Sequence, residues 1–169
     1  MKTHRLLSLI MATALPACGS DLMEPGDLPP ELRAPDISSA TWERVTRDGF
    51  SFALPDGFVQ LAGTPIDSDA ASFARDEASL LYDYGLYTGP WENTGGLAAS
   101  DVLVEWVRLG GRRAQLVSYR AAGRYVLRAW WPDVERSRHG DLHLLMQAEA
   151  DTQHERRELL AVIHSVRFD

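Results

Sequence analysis

Two adjacent glycines, Gly110 and Gly111, separate Val102–Leu109 from Arg112–Arg120, two stretches whose side chains alternate in character. A two-residue hairpin turn needs positive φ angles, and glycine adopts them without a steric penalty. The pair therefore commits this part of the chain to antiparallel strands. A second turn at Ala122-Gly123 returns the chain along Tyr125–Trp131, and Pro132, which has no N–H to give a ladder, is expected to end that strand. Leu142, Leu144, Met146 and Ala148 then alternate with His143, Leu145, Gln147 and Glu149 in one more strand.

Because the side-chain period of a strand is two, registering this meander on its turns sorts residues by face. One face gathers Val102, Val104, Trp106, Gln115, Val117, Tyr119, Val126, Arg128 and Trp130. The other gathers Leu103, Glu105, Val107, Ala114, Leu116, Ser118, Tyr125, Leu127, Ala129 and Trp131. Both are largely apolar, whereas a sheet with one wet side is polar on that side. Each face therefore needs a cover: a helix, other strands, the long loop upstream, or a ligand or partner.

The flanking sequence extends the pattern. Phe50–Leu54 alternates, Pro55-Asp56-Gly57 supplies turn chemistry, and Phe58–Leu61 resumes an extended run. Ala71–Arg75 and Ser79–Tyr84 flank Asp76-Glu77-Ala78 as a further hairpin, while Thr88–Ser100 reads as a long loop with four glycines and prolines. Only the end of the chain is helical in pattern. Thr152 and Glu155 fit a capping box, Leu159, Leu160 and Ile163 share one helical face, and Ser165–Phe168 reads as a short strand. The expected fold is α+β: a single antiparallel sheet of about six to seven strands with a C-terminal helix packed on one face, in one domain over residues 41–169.

The N-terminal 40 residues follow another logic. Lys2, His4 and Arg5 precede an uncharged run, Leu6–Leu15, which is too short to span a bilayer as a helix and reads as a secretory signal over residues 1–17. Leu15-Pro16-Ala17-Cys18 resembles a bacterial lipobox, with Pro16 where that motif carries a small or aliphatic residue. The resemblance implies acylation of Cys18 and a lipid-anchored protein facing the periplasm; cleavage near Ala12-Thr13-Ala14 would instead give a soluble exported protein. Cys18 is the sole cysteine, although export would permit disulfides. Residues 18–40 hold Pro25, Pro29, Pro30 and Pro35 without a hydrophobic period, as expected of a disordered tether reaching at most roughly 70 Å. The formal charge of −7 disfavours nucleic acid, and contact with membrane is expected through the anchor alone.

Two segments resemble one family. Phe50-Ser51-Phe52-Ala53-Leu54-Pro55-Asp56-Gly57-Phe58 looks like the first strand and turn of PsbP-like domains, and Leu159–Phe168 like their closing helix and strand. That family includes a photosystem II subunit, a nuclear import factor and DcrB-like bacterial lipoproteins. The resemblance implies an antiparallel sheet flanked by helices, and roles in protein binding or assembly.

Side-chain chemistry points the same way. There is no G-x-S-x-G elbow, and Ser51 and Ser118 lie in alternating strands, a poor setting for a nucleophile. His154-Glu155-Arg156-Arg157-Glu158 lacks the second histidine of a zincin helix, and His139, Asp141 and His143 offer too few ligands, so no metal and no cofactor is expected. Asp67-Ser68-Asp69 lacks the glycine and distal glutamate of a calcium loop. Asp83, between Tyr82 and Tyr84, is either a buried acid paired with an arginine or a ligand-facing carboxylate. Trp106, Tyr119, Arg128 and Trp130 share one sheet face, as either a binding hot spot or a core with Arg128 reaching its rim. The reading is a non-catalytic, membrane-anchored envelope module that binds a protein partner; the alternatives are a small-ligand-binding lipoprotein and an unrecognised envelope hydrolase.

Overall fold

The computed structural model describes residues 22–37, 41–63, 68–92 and 98–169. Cys18, the signal segment and Asp67 lie outside them. In chain order the elements are β1 (Glu43–Arg47), β2 (Phe50–Leu54), β3 (Val59–Gln60), β4 (Asp69–Arg75), β5 (Ala78–Gly85), β6 (Ala99–Leu109), β7 (Arg112–Ala121), β8 (Arg124–Ser137), β9 (Gly140–Ala150), α1 (Gln153–His164) and β10 (Arg167–Phe168).

Seven strands form an antiparallel sheet in the order β3-β4-β5-β9-β8-β7-β6. The turns fall where their chemistry requires. Leu109 pairs with Arg112 across Gly110 and Gly111, whose φ angles are +58° and +82°, and Ala121 pairs with Arg124 across Ala122-Gly123. Arg75 pairs with Ala78 across Asp76-Glu77. The capping box also forms: Thr152 Oγ1 accepts from the Glu155 backbone N–H at 3.2 Å, and the Glu155 carboxylate accepts from the Thr152 N–H at 3.0 Å.

Three expectations need correction. First, there are two sheets: β1, β2 and β10 form a separate three-stranded sheet, so Pro55-Asp56-Gly57 carries the chain from one sheet to the other. Second, β8 runs through Pro132 to Ser137. The register with β9 shifts between Trp131 and Glu135, and Asp133 takes φ +51°. A bulge leaves a residue unpaired, so proline costs no ladder bond there.

Third, the described part of the expected tether is folded. Met23 forms a parallel bridge with Val107, accepting from the Arg108 N–H and donating to Trp106 O. Leu28 and Leu32 are 0% exposed. Two side chains of α1 hold successive carbonyls of this strap: Arg156 donates to Glu31 O, and His164 Nε2 meets Leu32 O at 2.9 Å. The prolines shape turns in a segment whose two leucines belong to the core.

One face of the large sheet is thus closed by a composite layer. Leu80, Tyr82, Leu116, Leu127, Trp131, Leu144 and Met146 meet Phe50 and Phe52 of β2, Leu159 and Ile163 of α1, and Leu28 and Leu32 of the strap in one buried cluster.

Candidate binding site

Strand register builds the second face of the large sheet in rows. Ala70, Asp83, Leu145, Trp130, Gln115 and Trp106 are successive cross-strand partners from β4 to β6. The next row is Ser72, Leu81, Gln147, Arg128, Val117 and Val104. Tyr119 lies one row further, opposite Val126. The structure therefore brings all four meander residues onto one face and adds Asp83, at the far end of the tryptophan row. At about 4.8 Å per strand, Asp83 is about 10 Å from Trp130 and about 19 Å from Trp106 across the sheet.

The residues divide into filled and open parts. Tyr119, 6% exposed, clusters with Val117 and Val126. Over it lies the segment after β5: the Trp91 ring is 5.8 Å from that of Tyr119, and the Trp91 backbone N–H donates to Gln115 Oε1 at 2.7 Å. Tyr119 is accordingly a core residue of the covered part, and burial raises its hydroxyl pKa. Trp106 and Trp130 are half-buried and pack edge to face at 6.1 Å. The His143 ring lies 5.6 Å from Trp130, and the Arg113 guanidinium 3.9 Å above Trp106.

Among the described residues, Asp83 Oδ1, Arg128 Nε, Trp130 Nε1 and Thr88 Oγ1 are buried and find no hydrogen-bond partner. Burial also depresses the Arg128 pKa, opposed by nearby Tyr119. Among the described residues no arginine forms an ion pair with Asp83. Arg75 pairs with Glu158, Arg108 with Glu24, Arg124 with Glu149 and Asp151, and Arg136 with Asp141. A buried donor or acceptor left unmade costs about 1–3 kcal/mol, and native folds keep few of them. Three of the four, on Asp83, Arg128 and Trp130, belong to the second face itself.

The other chemical leads resolve into structural contacts. His139 Nε2 accepts from Arg138 Nε at 2.8 Å, and His143 Nδ1 accepts from the Asp133 N–H at 3.2 Å. Asp69 Oδ1 accepts from the Tyr82 hydroxyl at 2.9 Å. Ser51 Oγ accepts from Arg44, and Ser118 Oγ accepts from Arg156. No protein-family model matches the chain, and no curated protein matches it. The sequence pattern missed Thr88 and Trp91. A tryptophan in a loop of glycine and proline was the one signal, since so large an apolar ring needs a surface to lie on.

Proposed function

We propose that this protein is an exported, non-catalytic binding module, anchored through a lipid on Cys18, which holds a segment of an envelope protein partner against the second face of its large sheet. The observation that carries the reading is the set of buried, unpaired polar atoms on Asp83, Arg128 and Trp130. A ligand that displaces the groups covering these atoms, and offers an acceptor to Arg128 and Trp130 and a donor to Asp83, recovers the energy that the isolated fold forgoes. The row from Asp83 to Trp106 spans about 19 Å, the length of about six extended residues at 3.3 Å each. That reach favours a peptide segment, which alternates donors and acceptors along its backbone, over a compact small molecule. Half-buried tryptophans beside an arginine have the composition of interface hot spots.

The test is photocrosslinking in the intact cell from a reactive amino acid at Val104, at the β6 end of this face. The reading predicts a discrete adduct with an envelope protein that disappears in Arg128→Met and Asp83→Asn chains accumulating at the normal level. Adducts unchanged by both substitutions would contradict it.

A further inference from the structure

The docked strap changes what an anchor at Cys18 does. Met23 is hydrogen-bonded to Trp106 and Arg108 of the edge strand β6, and five residue steps separate it from Cys18. At about 3.4 Å per step this linker spans no more than about 17 Å. The seven-stranded sheet is about 29 Å wide from β6 to β3, its opposite edge. A linker of that length keeps the β6 edge close to the bilayer, within less than the width of the sheet.

The side chains on the near edge suit that position. Val102 and Val104 are 36% and 38% exposed. Trp106 and Arg108 continue the alternate positions, with Arg113 over the Trp106 ring. Tryptophan favours the headgroup level of a membrane, and arginine binds phosphate with a fork of donors. We propose that the β6 edge, through Val102, Arg108 and Arg113, rests on the lipid headgroups, with Trp106 at the boundary between the lipid and the bound segment, so that anchoring fixes the orientation of the domain and the binding face opens at the membrane surface. The proposal rests on acylation of Cys18.

Cys18 is the only cysteine, so in the acylated protein an introduced cysteine is the only free thiol. Val104→Cys on β6 and Val59→Cys on β3, where Val59 is 61% exposed, are each labelled with a small fluorophore. The acylated full chain is then placed in phosphatidylethanolamine vesicles carrying a headgroup-level quencher. Quenching several-fold stronger at position 104 than at 59 is expected, with the same contrast between Val102→Cys and Leu61→Cys. Equal quenching at both edges in a chain of confirmed acylated mass would overturn the orientation. An intact mass showing unmodified Cys18 would instead overturn the anchor, and the orientation with it.

Discussion

Gly110 turns the chain with φ +58°, and a Cβ built there would lie 2.8 Å from the Val166 carbonyl oxygen. Gly111 also has positive φ but faces open space. Gly110→Val is therefore expected to cost about 1–3 kcal/mol of backbone strain plus the contact, and Gly111→Asn little, since asparagine tolerates this region. Thermal midpoints of the two variants check the difference. His164 carries the pH dependence that the strap introduces. Partial burial holds its pKa below the ordinary 6.5, opposed by its bond to Leu32 O, and Arg44 and Arg167 line the same cleft. The fold thus prefers the neutral ring, so its contribution is complete above about pH 6.5 and is lost as pH falls through the depressed folded-state value. Melts at about pH 7.5 and pH 5 should show a smaller fall for His164→Gln, which keeps a donor toward Leu32 O, than for the natural chain.

At the scale of elements, the strap is the part most open to test. Leu28→Ala and Leu32→Ala should each destabilise the domain by about 2–5 kcal/mol, as core truncations do; unchanged denaturation midpoints would mean that the segment is solvated. The strap was hidden in the sequence because its four prolines dominate the composition, while two leucines four apart are too few to make a period. The hairpins at Gly110-Gly111, Asp76-Glu77 and Ala122-Gly123 were legible because turn chemistry is local. The small sheet was not, since β2 pairs with β10 through Phe50 and Phe168, and no local pattern encodes a partner so distant. Likewise, a bulge at Pro132 depends on the strand opposite. The site was legible as a face, from the period of two that joins Trp106 to Trp130. Its unpaired atoms were not, because whether a buried polar atom finds a partner depends on how distant elements pack around it.

Over the whole molecule, the large sheet is asymmetric in how its faces are covered. The β2, α1 and strap layer closes one face around Trp131, whose indole N–H donates to Leu109 O at 3.2 Å. On the other, the neighbouring Trp130 has no such partner among the described residues. Adjacent tryptophans of one strand thus differ in setting: Trp131 is bonded within the core, and the proposed reading assigns Trp130 to binding. The central claim is that polar groups on the second face are kept at the expense of stability because a partner uses them. Arg128→Met tests it most directly, since methionine fills similar space without a buried donor. The account predicts a thermal midpoint equal to or above that of the natural protein, because replacing an imperfectly paired buried charge by a hydrophobic group is neutral or stabilising. A clearly lower midpoint would mean that Arg128 is part of the folding core and would contradict the binding reading.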